Sequence, residues 1–76
     1  MIKIYSANWW GSCIAAKKLL DDKGLSYETI NIDEEGISRE KLMELTGGYT
    51  IPQIIIDGKT IGGFEQLLIL NQKNKL

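Results

Sequence analysis

The chain has 76 residues, of which 43% are hydrophobic, nine are Lys or Arg and ten are Asp or Glu. This length fits one domain with a small core, so we expect a single unit over residues 1–76. The formal net charge of -1 offers no basic surface for nucleic acid. No apolar run approaches the roughly 20 residues that cross a bilayer. We therefore expect neither nucleic acid nor a membrane as a partner, and we expect a monomer.

The content of cysteine and histidine excludes several kinds of chemistry. The chain has one cysteine, Cys13, and no histidine. An internal disulfide, a Cys-His catalytic pair and a His-ligated metal are excluded, and a lone thiol does not form a zinc site, so we expect no metal. The first residues lack the long apolar stretch of an export signal. These features together predict a reducing, cytoplasmic location.

The first half of the chain predicts a strand, a helix and a second strand. Apolar residues from position 2 to position 5 indicate a short strand. From about Gly11 to Lys23 they recur at helical spacing, and Gly24 provides a C-terminal stop. A strand follows over residues 27–32. The predicted apolar face of the helix consists of Cys13, Ala16, Leu19 and Leu20.

A second helix and a buried strand follow an acidic loop at residues 33–36. Ser38 is a candidate N-cap, and the helix that it begins stops at Gly47-Gly48. Ile54, Ile55 and Ile56 are all β-branched, which predicts a strand buried on both faces.

Asp57-Gly58 predicts a two-residue hairpin leading into a final strand. Gly62-Gly63 then precedes a last helix whose inward face contains Phe64, Leu67 and Leu68, and we expect residues 71–75 to fray. The resulting order, β-α-β-α-β-β-α, predicts an α/β fold with three helices and a mixed four-stranded sheet. Its first two strands are expected to be parallel.

Three separated segments carry a family resemblance. The stretch from Tyr5 through Cys13 to Leu20 resembles a strand, a C-x-x-C at a helix start and then x-x-A-K-x-L-L. Thr50-Ile51-Pro52 resembles T-V-P, and Gly62 to Glu65 resembles G-G-x-[DS]. In this order and at this spacing, the segments resemble glutaredoxins over nearly the whole chain. The resemblance implies a thioredoxin-like fold.

Alignment on Ala16-Lys17 places Cys13 at the second, resolving cysteine of the family motif and Trp10 at the first. Residues 9–13, Trp-Trp-Gly-Ser-Cys, also resemble the W-C-G-x-C of thioredoxins. The resemblance implies a glutathione-dependent thiol–disulfide oxidoreductase that acts on glutathionylated or disulfide-bonded proteins in cell redox homeostasis. Because the indole of Trp10 cannot replace a nucleophilic thiolate, we expect this activity to be absent or impaired.

Two interpretations stand for each of these positions. Cys13 is either a substitute nucleophile assisted by the charge of Lys17, or a half-buried small residue on the core face. Trp10 either closes or repurposes the site, or it is a replacement within an otherwise ordinary active site.

The resemblance also implies a glutathione-binding groove. Pro52 is expected to be cis, and the backbone of Ile51 to pair with the cysteinyl part of glutathione. The turn from Gly63 begins a helix, so the amides of Phe64 and Glu65 are expected to bind the γ-glutamyl carboxylate, with the Glu65 side chain near the ammonium. Alternatively, Pro52 only begins an edge strand and the glycine turn only begins a helix.

Arg39, twelve residues before Ile51, corresponds to a family residue that binds the glycine carboxylate of glutathione. It could equally be a solvated helix residue. Ala7 and Tyr49 stand where many family members have basic anchors. Each lost charge-assisted bond weakens binding by on the order of 1 kcal/mol.

Two classes of function follow. The first is a glutaredoxin-like oxidoreductase domain whose catalysis is inactive or impaired by Trp10. The alternative is a non-catalytic module that binds glutathione or an extended peptide in the same groove. Iron–sulfur cluster carriage by a glutathione-bridged dimer normally needs the first cysteine, and a disulfide-linked dimer needs an exposed Cys13.

Overall fold

The computed structural model describes residues 1–7 and 11–76. These residues form four strands and three helices in the order β-α-β-α-β-β-α, which confirms the predicted fold. The helices are α1 (Gly11–Asp22), α2 (Arg39–Thr46) and α3 (Phe64–Gln72). The strands are β1 (Ile2–Ser6), β2 (Tyr27–Asn31), β3 (Gln53–Ile56) and β4 (Lys59–Gly62).

The strands form one mixed sheet in the spatial order β2-β1-β3-β4. β1 runs parallel to β2, with Ile4 opposite Thr29, and antiparallel to β3, with Ile4 opposite Ile54. β3 and β4 are antiparallel and carry a register shift between Ile54 and Ile55. The parallel first pair and the C-terminal hairpin are therefore confirmed.

Local capping explains the limits of α2. The Ser38 hydroxyl accepts a hydrogen bond from the Lys41 amide at 3.1 Å, which satisfies one of the unpaired N–H groups at the start of a helix. At the other end, Gly47 has φ 82°, and its amide donates to the Met43 carbonyl. The predicted N-cap and stop are both confirmed.

The turn between β3 and β4 has the backbone that its sequence predicts. Asp57 has φ 50° and Gly58 has φ 82°. Positive φ at both central residues matches the right-handed twist of the flanking strands and is the reason that Asp-Gly is common in such hairpins.

The interior consists of two clusters of buried apolar residues. The first cluster is Ile2, Ile4, Ala16, Leu20, Ile54 and Leu67. The second cluster is Ala7, Cys13, Ile32, Leu42 and Ile51. Helix α1 contributes to both, because its N-terminal turn carries Cys13 and its later turns carry Ala16 and Leu20. The position of α1 therefore links the two clusters.

The expected burial of β3 on both faces is wrong beyond its first half. Ile54 is 1% exposed, whereas Ile55 and Ile56 are only half-buried. Successive side chains alternate between faces, and Ile55 lies opposite Lys3 beside an open surface cleft. That face of the sheet is therefore partly open next to Ile55.

The C-terminal segment makes backbone and apolar contacts beyond the polar residues at which fraying is predicted. α3 continues to Gln72, and beyond it the Lys75 amide donates to the Leu70 carbonyl at 2.9 Å. Leu76 packs against the first cluster. The polarity of residues 71–75 predicts fraying, and the contact of Leu76 opposes it. None of the helices in the described residues has the length and apolar character needed to cross a membrane.

Candidate functional site

A cleft of about 370 Å³ lies between the start of α1, the loop before β3 and the start of α3. It brings together the three segments that the sequence analysis identified. Its described lining residues are Ser12, Thr50, Ile51, Pro52, Gly63, Phe64, Glu65 and Gln66.

The loop before β3 forms one wall of this cleft. The Ile51–Pro52 peptide bond is cis, as predicted. Ile51 is 5% exposed and packs in the second cluster, so its side chain anchors the loop to the core. A Cβ at Gly63 would lie 3.4 Å from the Pro52 carbonyl oxygen, an ordinary van der Waals distance. A Cβ at Gly63 would therefore just contact the opposite wall of the cleft.

The first turn of α3 forms the opposite wall. The Gly63 amide donates to Oε1 of Gln66 at 2.9 Å, so the chain itself occupies that donor. The amides of Phe64 and Glu65 lie in the first helical turn, where N–H groups lack intrahelical acceptors. Phe64 also packs against the first cluster, which holds the turn in place. The backbone here can hydrogen-bond an anionic group.

Arg39 lies near the cleft but not in its lining. Arg39 begins α2, is exposed, and donates from Nη1 to the Tyr49 carbonyl at 2.7 Å. Tyr49 immediately precedes Thr50, which lines the cleft. The guanidinium therefore stands at the rim, and four of its five N–H donors are left for other acceptors.

Cys13 is completely buried, rather than half-buried. Burial raises the pKa of its thiol, and this effect outweighs the lowering by the Ala7 amide and by the charges of Lys17 and Arg39. A buried, protonated thiol is a poor nucleophile. The geometry favours the interpretation of Cys13 as a packed core residue.

Trp9 and Trp10 lie outside the described residues. Among the described residues, no group of three or more His, Cys, Asp or Glu side chains is placed to hold a metal ion.

Gln53 is a residue that sequence reasoning missed. Its side chain is buried, and Nε2 donates to the Thr50 carbonyl at 2.8 Å and to the Thr50 hydroxyl at 3.2 Å. A Cβ at Gly48 would lie 2.5 Å from the side-chain amide nitrogen of Gln53, so a larger residue there would displace the Gln53 side chain from this position. The only signal in the sequence was a polar residue between a proline and an apolar strand.

A mixed four-stranded sheet with a cis-proline loop beside the first turn of α1 and the start of α3 defines a thioredoxin-like domain. The family model for glutaredoxin matches residues 2–61. Glutaredoxin 3 from Escherichia coli (strain K12) is 36% identical over 75 residues, covering 99% of this chain and 90% of the relative. Glutaredoxin-C6 from Oryza sativa subsp. japonica is 36% identical over 78 residues, covering 99% and 70%.

Solved structures of glutaredoxins have a similar fold. A crystal structure of a buckwheat glutaredoxin–glutathione complex has a TM-score of 0.89 and 33% identity, covering 99% of this chain and 71% of that one. Wheat glutaredoxin has a TM-score of 0.87 and 32% identity, covering 97% and 73%. The chain belongs to the glutaredoxin family and is a glutaredoxin-like thiol–disulfide oxidoreductase domain with a single cysteine.

Proposed function

We propose that this chain binds glutathione in the cleft and that its oxidoreductase activity is absent or impaired because Trp10 occupies the position of the nucleophilic cysteine. The observation that carries the proposal is the cleft between the Ile51–Pro52 loop and the start of α3. Support also comes from the buckwheat relative, which was crystallised with glutathione. We propose that the chain acts as a monomer in the cytoplasm. Its proposed partners are glutathione and glutathionylated or disulfide-bonded proteins.

Each part of glutathione has a proposed contact. The Ile51 backbone pairs with the cysteinyl part, beside Pro52. The amides of Phe64 and Glu65 bind the γ-glutamyl carboxylate, and the Glu65 carboxylate lies near the ammonium. Arg39 meets the glycine carboxylate from the rim.

Impairment follows from the requirements of thiol–disulfide exchange. A thiolate attacks one sulfur of a disulfide, forms a new mixed disulfide and releases the other sulfur as a thiolate. Trp10 has no sulfur. Cys13 has one, but burial raises the pKa of its thiol and keeps it from a disulfide in the cleft. The cleft can therefore hold glutathione without exchanging it.

The test is the glutathione-dependent reduction of a small mixed disulfide by this chain and by Trp10→Cys. We expect turnover for Trp10→Cys that exceeds that of the unchanged chain by at least about a hundredfold, since covalent exchange needs an accessible thiolate. Trp9→Cys is the matched control, because it adds an equal thiol one position outside the motif. Equal turnover by the unchanged chain and Trp10→Cys would show that position 10 does not limit catalysis.

The alternative function is a non-catalytic module that binds glutathione or an extended peptide. It is favoured by the combination of a formed cleft with a single buried thiol. If Trp10→Cys gives no turnover while glutathione still binds, this alternative replaces the first proposal.

A further inference from the structure

A second pocket, of about 410 Å³, lies beside the cleft, between the end of α2, strand β4 and the start of α3. We call it the side pocket. It shares Thr50, Gly63 and Gln66 with the cleft. Its other described lining residues are Thr46, Gly47, Gly48, Gln53, Thr60, Ile61 and Gly62. None of these described residues has a charged side chain, so the side pocket suits an uncharged polar group.

Gln53 supplies an unpaired acceptor to the side pocket. It is 5% exposed, and its Nε2 donates to the carbonyl and the hydroxyl of Thr50 at 2.8 and 3.2 Å. A carbonyl only accepts, so the nitrogen of the amide must face Thr50 and Oε1 is left over. Among residues 1–7 and 11–76, no group donates a hydrogen bond to Oε1. A buried acceptor without a protein donor favours a bound group that donates to it.

Gln66 supplies a donor to the same pocket. Its Oε1 accepts from the Gly63 amide at 2.9 Å, which fixes the oxygen of this side chain because an N–H needs an acceptor. Nε2 therefore keeps two N–H groups, and none of the described residues accepts from them. The side pocket thus has an amide oxygen from β3 and an amide nitrogen from α3.

Glycines hold both side-chain amides against the main chain. A Cβ at Gly48 would lie 2.5 Å from Gln53 Nε2, and a Cβ at Gly62 would lie 3.0 Å from Gln66 Cγ. Gly62 also has φ 116°, a conformation that favours glycine. Each amide therefore packs on a glycine, where a larger residue would press on it.

From this arrangement we infer that the side pocket binds the primary carboxamide of an Asn or Gln side chain of a peptide, which donates to Gln53 Oε1 and accepts from Gln66 Nε2. A primary carboxamide carries an N–H donor and a carbonyl acceptor without charge. It ends its side chain, so it can enter a pocket, whereas a backbone amide continues into chain on both sides. The inference goes beyond the proposed function and stands without it, because it uses no contact to glutathione.

The experiment is a heteronuclear NMR titration of the full chain with three tripeptides, each capped by acetyl and N-methylamide groups. They have glycine at both ends and differ in the central residue, which is Gln, Glu or Ala. We expect the Gln peptide to shift the resonances of Gly48, Gln53 and Gly62. We expect it to bind about two- to tenfold more tightly than the other two, the effect of a neutral hydrogen bond.

Variants test the two contacts separately. Gln66→Glu keeps an acceptor for the Gly63 amide but removes the Nε2 donor, so it should weaken the Gln peptide about two- to tenfold. Gln72→Glu is the matched control, because it makes the same change at an exposed position of α3 outside the pocket, and it should leave binding unchanged. Gln53→Met removes the buried acceptor at similar volume and should also weaken binding.

Three results would overturn the inference. The first is that no peptide shifts the side-pocket resonances of a folded chain, so that the pocket holds only solvent. The second is equal binding of the Gln and Ala peptides, which would show that the contact is made by the peptide backbone. The third is equal weakening by Gln66→Glu and Gln72→Glu, which would show that charge on α3, rather than the lost donor, is responsible.

Discussion

Burial of Cys13 has a measurable chemical consequence, because a thiolate needs solvation that the second cluster does not provide. Burial is the largest influence on the thiol and raises its pKa, while the Ala7 amide and the Lys17 and Arg39 charges lower it by less. The folded chain therefore favours the protonated thiol.

We predict that the thiol of folded Cys13 titrates above the free-thiol pKa of about 8.5. The measurement is the ultraviolet absorbance of the thiolate as a function of pH. The same titration of Cys13→Ser is subtracted, because it contains the absorbance change of the tyrosines but not that of the thiol. The same difference measured in denaturant gives the unfolded reference. A folded midpoint at or below the unfolded one would contradict burial as the dominant influence.

The same shift predicts the sign of a pH effect on stability. The folded pKa is raised, so the stabilisation by the protonated thiol is fully present below the unfolded pKa and is lost as pH rises through the folded pKa. The loss therefore begins above about pH 8.5. This loss of stability above about pH 8.5 should be absent from the Cys13→Ser variant.

At the scale of elements, the N-cap of α2 lies next to the residue that reaches the rim of the cleft. Ser38 caps this helix, and the next residue, Arg39, reaches the carbonyl of Tyr49. The cap therefore fixes the backbone from which the guanidinium extends.

We predict that Ser38→Ala lowers the free energy of unfolding by about 1 kcal/mol, because it removes the acceptor for the Lys41 amide. Urea denaturation measures this change. Ser26→Ala, at an exposed position between α1 and β2, is the control and should change stability by less than about 0.5 kcal/mol. Equal effects of the two substitutions would show that the cap contributes nothing.

Features determined by neighbouring residues were predictable from the sequence. The Ser38 cap, the Gly47 stop and the Asp57-Gly58 hairpin each depend on a few consecutive residues, and all three are confirmed. The hydrogen bond from Arg39 to Tyr49 joins the start of α2 to a loop residue ten positions later, and no local pattern specifies it.

Burial was also less predictable than element type. Three consecutive isoleucines do not reveal that the face beside Ile55 is partly open, since this depends on which elements cover the sheet. The three segments of the cleft could be anticipated through the family resemblance. The depth of Cys13 depends on packing with Leu42 and Ile51, which are distant in sequence.

At the scale of the whole molecule, α1 joins the two buried clusters, so disruption of one should loosen the other. Leu67 belongs to the first cluster and Cys13 to the second. In a chain of 76 residues the two clusters are expected to unfold together.

We predict that Leu67→Ala accelerates alkylation of Cys13 at least about tenfold, because a buried Leu→Ala change costs about 2–5 kcal/mol and raises the population of open molecules. The rate is measured with a thiol reagent under native conditions. Ile69→Ala is the control, since Ile69 lies on the same helix and is 47% exposed. If Leu67→Ala lowers the thermal midpoint but leaves the alkylation rate unchanged, the clusters open independently.

Gly63 faces the Pro52 carbonyl, and a Cβ at Gly63 would lie 3.4 Å from that oxygen, an ordinary contact distance. Because main chain borders the cleft on both sides at this point, the shape of the cleft there depends little on side chains. Substitutions that alter the reactive group or the surrounding charges can accumulate while the main-chain framework keeps its form. We therefore expect substitutions at position 10 or position 65 to change the chemistry of the cleft without changing its main-chain shape at Gly63.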